Sequence, residues 1–252
     1  MLKVALTSDT HVGLTKMKAL ENCFTEMAAH KPDVVVHAGD FCGGHMGYRS
    51  VRSTCRLLRR IFPDIPILAV LGNHDYWCGK PRVESRDGDW TVFTQYRPSL
   101  STYQLNLNKI RTAFVESNIF FLDEYGPFRI EGVTFVGHTG WYKLFVATND
   151  LLHLPSGLGG DTFRHFQRAA DTEVMVNLGL LTEEDTNRVF VSHFPVIDPR
   201  DFGWSEKLGE LLVENYQIKK FLNGHMHERH EGPLKYEAGS DYGSPRYLII
   251  EV

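Results

Sequence analysis

Short apolar runs alternate with helix-type segments through the first part of the chain, and this alternation limits the possible folds more than any other feature. Residues 4–8 and 34–36 have the pattern of buried strands, and an apolar run at residues 65–71 follows them. Between these runs, apolar side chains recur at helical spacing over about residues 15–30 and 46–62. A helix that connects two strands of one sheet returns the chain in the same direction, so the strands pair in parallel. The sequence therefore predicts an α/β protein built from β-α-β units.

The remainder of the chain adds strands and a hairpin, which makes the predicted sheet mixed. Strands are predicted at residues 119–122, 189–191, 218–222 and 247–252, a hairpin at residues 128–130 and 133–136 around Glu131-Gly132, and helices after about residue 89 and near residues 206–215. Residues 141–186 are aromatic, contain glycine and are partly helical. They form either a lid over a site or an ordinary surface excursion with a packing helix near residues 163–178.

Composition bounds the size of the domain and its environment. A chain of 252 residues without a Pro/Ser/Gly linker, a charge block or a repeat predicts a single domain over residues 1–252. The net charge of −4 gives no overall basic field for nucleic acid. Four cysteines without zinc-site spacing, and no apolar leader or long apolar stretch, predict a cytoplasmic protein with reduced thiols and no membrane span. One helix face is either a solvated surface or a local basic patch, and its members are Arg49, Arg52, Arg56, Arg59 and Arg60.

Side chains that can bind a metal follow the predicted strands at the point where each strand ends. They are Asp9, His11, Asp40, Asn73, His193, His225 and His227. Because ligands at the C-terminal edges of strands in an α/β sheet converge on one crevice, we expect these residues to be neighbours in space. Carboxylates, imidazoles and an amide oxygen without a thiolate suit manganese, iron, zinc or cobalt better than copper(I) or an iron–sulfur cluster.

The spacing inside these motifs has a physical reason. In Asp9-x-His11 and His225-x-His227, side chains two residues apart in an extended segment leave on the same side, so one loop offers two ligands. Three glycines precede the ligands, and they are Gly39, Gly72 and Gly224. Glycine at a strand end permits a tight turn and close approach of the backbone.

Five motifs in a fixed order resemble those of the calcineurin-like metallophosphoesterase family. They are Asp9-x-His11, Gly39-Asp40, Gly72-Asn73-His74-Asp75, His193 and Gly224-His225-x-His227. The resemblance spans residues 9–227 and implies a four-layer α/β/β/α sandwich with two mixed sheets, of the metallo-dependent phosphatase-like type. It also implies hydrolysis of phosphate esters with two divalent metal ions, for which manganese is favoured and iron, zinc, cobalt and nickel are alternatives.

The resemblance implies a role for each motif residue. The implied ligands of the first metal are Asp9, His11 and His227, and those of the second are Asn73, His193 and His225. Asp40 would bridge both ions, and a hydroxide shared by the ions would attack phosphorus in line with the leaving oxygen. His74 would bind no metal but would hydrogen-bond the phosphate or protonate the leaving oxygen. The implied catalytic residues are therefore His74, Asp40 and Asn73.

The residues after Asp40 leave the substrate class partly open. In many members of the family, a carboxylate three positions beyond the bridging aspartate orients the catalytic histidine, and an arginine sometimes follows it, whereas this chain has Gly43 and Gly44 there. This departure disfavours a protein phosphatase of that type and leaves open what orients His74. We expect a small phosphate ester or nucleotide as substrate, with phosphodiesters preferred over monoesters. The alternatives are a metal-dependent nuclease, supported by the arginine-rich helix, and a non-catalytic interaction module on the same fold.

Several other side chains flank the motifs. His45 and His138 are candidates for lining the pocket or for orienting His74, and Asp75 is a candidate partner of His74 or a packing residue. The histidines expected at the surface or in the core are His30, His37, His153, His165 and His230. The aromatic residues that either stack on a substrate ring or pack beneath a loop are Tyr76, Trp77, Trp141 and Tyr142.

Overall fold

The structure is a computed structural model, and it describes residues 1–43, 48–76, 100–140, 172–197 and 206–252. The strands in these ranges are β1 (Lys3–Thr7), β2 (Val34–Ala38), β3 (Ile67–Val70), β4 (Ile119–Phe121), β5 (Phe128–Ile130), β6 (Val133–His138), β7 (Asn187–Ser192), β8 (Ile218–Asn223), β9 (Arg229–Glu231), β10 (Lys235–Ala238) and β11 (Leu248–Glu251). The helices are α1 (Met17–Ala29), α2 (Tyr48–Ile61), α3 (Asn73–Tyr76), α4 (Leu100–Glu116), α5 (Leu122–Tyr125), α6 (residues 172–179) and α7 (Glu206–Glu210), which continues as a turn of π-helix over Leu211–Asn215.

The strands form two sheets, and both are mixed. The first sheet has the order β11-β1-β2-β3-β4, with β1 to β4 parallel and β11 antiparallel to β1. The second has the order β5-β6-β7-β8-β10-β9, with β6, β7, β8 and β10 parallel and the outer strands β5 and β9 antiparallel. The loops that follow parallel neighbours emerge at one edge of a sheet. The predicted mixed sheets are confirmed.

Three apolar cores separate four layers. The first core joins residues of β1 to β4 with residues of α1, α2 and α4, and the second joins residues of the two sheets. The third lies between the second sheet and the helices α6 and α7. In β1, Ala5 faces the first core while Val4 and Leu6 face the second, as the two-residue period of a strand requires. This layer order confirms the α/β/β/α sandwich.

Most elements lie within a few residues of their predicted positions, and the differences have local causes. The hairpin of β5 and β6 turns at Glu131 and Gly132, whose φ angles of 47° and 76° fit a tight turn. The strand predicted at residues 119–122 ends one residue early, because Leu122 begins α5. The strands β9 and β10 are not predicted, because Lys235 and Glu237 interrupt the apolar pattern of β10 although both are buried.

Some predictions fall outside the described residues. The predicted helical region after residue 89 is seen only from α4 onward. Of residues 141–186, the described helix α6 packs Val174 and Leu178 into the third core, while the lid hypothesis concerns residues that the structure does not describe. The same holds for Gly44, His45, Trp77, Trp141, Tyr142, His153 and His165.

No helix in the described ranges has the length and apolar character that crossing a bilayer demands. The described cysteines, Cys23, Cys42 and Cys55, are buried.

Candidate metal centre

The loops after β1, β2, β3, β7 and β8 bring the predicted site residues to one place between the sheets. Among the described residues, three overlapping groups have ligand atoms within 4.8 Å of one another: Asp9, His11 and His227; Asp9, Asp40 and His193; His11, Asp40 and His74. Asp9, His11, Asp40 and His193 are almost completely buried, and His227 is partly exposed. Buried carboxylates and imidazoles at this density are characteristic of metal and catalytic sites.

His11 and His227 face each other through their Nε2 atoms, which lie 3.3 Å apart. The Nδ1 atom of His11 lies 3.4 Å from the Cys42 carbonyl oxygen, and that of His227 lies 3.4 Å from Asp241 Oδ1. A proton on each Nδ1 satisfies these oxygens and leaves a lone pair on each Nε2. Two facing lone pairs repel each other, and a cation that accepts both removes the repulsion. The two rings are therefore suitable as neighbouring ligands of one metal ion.

Asp9 completes the group around His11 and His227. Its Oδ1 lies 3.4 Å from His227 Nε2 and 3.9 Å from His11 Nε2. The backbone amide of His225 also contacts both carboxylate oxygens of Asp9, at 3.2 Å and 3.1 Å. One carboxylate therefore ties the loop after β1 to the loop after β8.

His193 and Asn73 form a second pair of facing acceptors. The Nδ1–H of His193 donates to the Ala38 carbonyl oxygen at 2.9 Å, which leaves the lone pair on Nε2. This Nε2 lies 2.9 Å from Asn73 Oδ1. Two ligands bound at about 2.1 Å from one ion are separated by roughly 3 Å, so the distance suits neighbouring ligands of a single cation.

Asp40 lies between the two pairs. Its Oδ2 is 3.8 Å from His11 Nε2 on one side and 3.5 Å from His193 Nε2 on the other. Its Oδ1 accepts a hydrogen bond from the His74 amide at 2.8 Å. The carboxylate is therefore held by a backbone hydrogen bond while its other oxygen faces both imidazoles.

The three glycines that precede the ligands are required by close packing. A Cβ at Gly72 would lie 2.1 Å from Asp40 Oδ1, and a Cβ at Gly39, whose φ is +87°, would lie 2.7 Å from His193 Nδ1. A Cβ at Gly224 would lie 2.6 Å from the Ala38 carbonyl oxygen. The predicted close approach of backbone at the strand ends is confirmed.

Five of the predicted ligands have left-handed backbone conformations. The φ angles are 49° at Asp9, 42° at His11, 55° at Asp40, 76° at His225 and 56° at His227. Such conformations cost non-glycine residues on the order of 1 kcal/mol or more each, and they concentrate at functional sites. The expectation that Asp9-x-His11 and His225-x-His227 are extended segments is therefore wrong. Their ligand residues turn the chain sharply, and these turns direct the side chains toward the centre.

Burial and neighbouring charges shift the pKa values of the ionisable groups at the site. Burial raises the pKa of Asp40 well above its ordinary value, and the Asp9 charge adds to this. Burial also opposes ionisation of Asp9, but its contact with the His227 ring holds its pKa well below the ordinary value. Burial lowers the pKa of His11 to about 4 and that of His193 in the same direction. Burial thus disfavours a positive charge on His11 and His193, and uncharged rings beside crowded carboxylates favour a bound cation.

Backbone contacts hold His74 where a carboxylate at position 43 is missing. Its amide donates to Asp40, and its carbonyl oxygen lies 3.1 Å from Cys42 Sγ. Its ring packs edge-on against His11 with the ring centres 4.6 Å apart, and its Nε2 lies 3.9 Å from Asp40 Oδ2. Its side chain is 12% exposed, so it borders the centre on the accessible side.

Asp75 connects the two loops that carry Asp40 and His74. It is buried and accepts hydrogen bonds from the backbone amides of Cys42 at 3.0 Å and Gly72 at 2.9 Å. Burial raises its pKa to about 6. Its carboxylate therefore joins the loop after β2 to the loop after β3, and its contacts with those amides fit the packing alternative for Asp75.

His225 lies beside the centre rather than within the three groups found among the described residues. Its ring centre is 5.1 Å from that of His193 and 4.4 Å from that of Phe194. Its role as a ligand of the second metal stays a prediction.

The other described histidines are either buried against neighbouring groups or exposed at the surface. His138 accepts a hydrogen bond on Nδ1 from the Gly140 amide at 3.2 Å, and its Nε2 lies 3.2 Å from Glu173. His37 is buried and stacks on Phe41 with ring centres 3.6 Å apart. His30 and His230 are exposed. The core and surface readings of these last three are confirmed.

Two residues at the site are not found by the sequence analysis. Asp241 lies 3.4 Å from His227 Nδ1, and the Tyr242 ring centre is 4.5 Å from that of His11. Both follow β10, which is parallel to β8 and ends at the same edge of the second sheet. The Gly239-Ser240-Asp241 turn after β10 could have indicated these two residues, but only if β10 had been predicted as a strand.

Comparison with known proteins identifies the family. The calcineurin-like phosphoesterase model matches residues 2–229, and the chain belongs to this family of metal-dependent phosphoesterases. The DNA double-strand break repair protein Mre11 of Halobacterium salinarum is 33% identical over 102 residues, which cover 36% of this chain and 24% of that protein.

A solved structure shares the fold. The crystal structure of TT1561 of Thermus thermophilus superposes with a TM-score of 0.57 at 16% identity, covering 96% of this chain and 90% of that chain. The purple acid phosphatase PPD1 from yellow lupin seeds matches with a TM-score of 0.48 at 13% identity, covering 100% of this chain and 45% of that chain.

Proposed function

We propose that this protein hydrolyses phosphate esters with two divalent metal ions at the centre around Asp40. The supporting observation is the presence of two facing acceptor pairs, His11 with His227 and His193 with Asn73, on either side of that carboxylate. With the proton of each ring on Nδ1, a cation bound between the members of each pair would offset the repulsion of their lone pairs. Two such places that share one carboxylate fit a dinuclear centre.

The ligand assignment follows these pairs. We propose that the first ion is bound by Asp9, His11 and His227, the second by Asn73, His193 and His225, and both by Asp40. Oxygen and imidazole donors without a thiolate favour manganese, with iron, zinc, cobalt and nickel as alternatives. When bound, the two ions would polarise the phosphoryl oxygens and supply a hydroxide nucleophile at neutral pH.

The protein's own groups position the reaction. Asp40 and the ligand loops fix the spacing of the centre through Asp75 and the glycine contacts. His74 borders the centre and is proposed to hydrogen-bond the phosphate or to protonate the leaving oxygen. Asn73 begins α3, and its Oδ1 faces His193 at 2.9 Å. We propose a small phosphodiester or nucleotide as substrate in preference to a monoester, and a single cytoplasmic domain over residues 1–252.

The test is turnover of two artificial esters by protein that has been stripped with a chelator and reconstituted. We expect no hydrolysis of bis(4-nitrophenyl) phosphate or 4-nitrophenyl phosphate by the stripped protein and hydrolysis of the diester after manganese is restored to about two ions per chain. A reconstituted protein that binds two ions and hydrolyses neither ester would contradict the proposal and favour a non-catalytic interaction module.

A nuclease is the second candidate, because the relative from Halobacterium salinarum is a DNA double-strand break repair protein. The arginine-rich helix supports a nuclease only weakly, because three of its guanidinium groups are already paired within the protein. Arg52 pairs with Glu116, Arg60 pairs with Glu21, and Arg59 donates to backbone carbonyl oxygens, including that of Asn118 at 2.7 Å. Cleavage of single- or double-stranded DNA with a steep salt dependence would favour the nuclease over the small-ester hydrolase.

A further inference from the structure

Tyr242 stands at the border of the proposed centre in contact with three of its histidines. Its ring centre lies 4.5 Å from that of His11, with 32° between the planes, and 5.0 Å from that of His227. The ring centre of His74 is 6.3 Å away. The tyrosine therefore lies beside two proposed ligands of the first metal and near the residue proposed to face the leaving oxygen.

The turn that carries Tyr242 is fixed by its own hydrogen bonds. The backbones of Asp241 and Ser244 exchange two hydrogen bonds, at 3.2 Å and 2.8 Å. The Tyr242 amide donates to Asp241 Oδ1 at 2.7 Å, and the Gly243 amide donates to Thr15 Oγ1 at 3.1 Å. The ring is thus held against His11 by a braced turn that is also tied to the loop after β1.

Tyr242 is 50% exposed in spite of these contacts. The rings of His11 and His227 pack against the tyrosine ring, and half of the surface of the residue is left to solvent. A rigid aromatic ring held in this way offers a face for stacking, and stacking on a tyrosine tolerates any planar ring.

We propose that Tyr242 is a stacking platform for a planar group of the substrate, a nucleobase or an aryl group, adjacent to the phosphate bound at the centre. This inference rests on the proposed phosphoesterase function and narrows its substrate class to esters that carry such a group. Stacking of a base on an aromatic side chain is worth a factor of about 10 or more in affinity. Aryl and nucleoside phosphates should therefore bind more tightly than alkyl or sugar phosphates of the same charge.

Phosphonates test the idea without turnover, because their carbon–phosphorus bond is not an ester. Binding of phenylphosphonate and methylphosphonate to the manganese-loaded protein is measured by calorimetry. We expect the wild type and Tyr242→Phe to bind phenylphosphonate about tenfold more tightly than methylphosphonate, and the ratio of the two affinities to fall to about one in Tyr242→Leu. Tyr125→Leu is the matched control, since Tyr125 is 48% exposed and packs edge-on against Phe120.

The outcomes separate this inference from the function on which it rests. Equal affinity of the wild type for the two phosphonates, or a preference that survives in Tyr242→Leu, overturns the stacking role even if ester hydrolysis is intact. Loss of the preference in Tyr242→Phe as well would assign the contact to the hydroxyl group and would also overturn it. If neither phosphonate binds and no ester is hydrolysed, the proposed function is wrong and the stacking role falls with it.

Discussion

The backbone of Gly72 lies so close to Asp40 that a Cβ at position 72 would be 2.1 Å from Asp40 Oδ1 and 2.4 Å from its amide nitrogen. The loop after β3 and the loop after β2 are therefore in contact without space for a methyl group. Asp75 reinforces the contact, because it accepts hydrogen bonds from the amides of both Cys42 and Gly72. The position of the central carboxylate depends on this packing.

Replacement of Gly72 by alanine should move the two loops apart. We expect Gly72→Ala to lower the free energy of unfolding by about 3 kcal/mol, as overpacking of a tight site does, and to reduce the metal content of the folded protein. Urea denaturation and metal analysis by mass spectrometry measure the two effects. Gly179→Ala is the control, because its Cβ would meet nothing within 4 Å, and we expect it to be neutral or stabilising by roughly 0.5 kcal/mol. Equal stability of the two variants would contradict the close contact.

Asp40 should be needed for the second metal and for turnover. Asp40→Asn keeps the shape of the side chain but removes the charge that faces His11 and His193. We expect fewer than two bound ions per chain and a fall in diester turnover of more than about 100-fold, beyond the effect of losing an outer-sphere partner. Asp64→Asn, at an exposed position, serves as control for the loss of one carboxylate. Full metal content and activity in Asp40→Asn would exclude a bridging role.

His74 should act on the substrate and leave metal binding intact. We expect His74→Asn to retain both ions and to lower turnover by roughly 100-fold or more, which is typical of a lost proton donor or hydrogen-bond donor. The measurement is metal content together with diester turnover, and His230→Asn at an exposed position is the control. Loss of one ion in His74→Asn would instead show that His74 is a ligand, as its place in a group with His11 and Asp40 permits.

Asp185 should make the stability of the protein depend on acid pH. It accepts hydrogen bonds from Arg129 Nε at 2.7 Å, Thr134 Oγ1 at 2.6 Å and the Thr182 amide at 2.8 Å. The bond from Arg129 holds the pKa of Asp185 well below its ordinary 3.8, against the effect of burial. A lowered pKa means that the folded state binds fewer protons than the unfolded state. The stabilisation is therefore complete above pH 3.8 and is lost as the pH falls further.

Asp185→Asn tests this dependence. We expect it to lower the free energy of unfolding by roughly 1–3 kcal/mol at pH 7, and the difference from the wild type to shrink as the pH falls below 4. Urea denaturation at pH 7 and pH 3 measures the difference. Glu116→Gln, which removes the exposed partner of Arg52, should change stability by less than about 1 kcal/mol. A difference between Asp185→Asn and the wild type that is independent of pH would contradict the linkage.

The sequence predicted much of the fold because the strands of the first sheet are unbroken apolar runs. The run Val34, Val35 and Val36 predicts a strand that is buried on both faces. The helices that connect such strands predict parallel pairing. The strand β10 was missed for the opposite reason. Lys235 and Glu237 look solvent-exposed in the sequence, but both are buried, and Lys235 Nζ lies 3.4 Å from Glu237 Oε2.

What the sequence determined by itself is which residues stand at the ends of the strands, because the apolar runs and the polar residues that follow them are local features. Tertiary structure alone decided that Asp241 and Tyr242 join the same centre, since their strand reaches it only through pairing with β8. It also decided the left-handed turns at Asp9 and His227 and the contact of Gly72 with Asp40. These features arise from distant segments packed against each other, and the energies that impose them are not encoded in any one stretch of the chain.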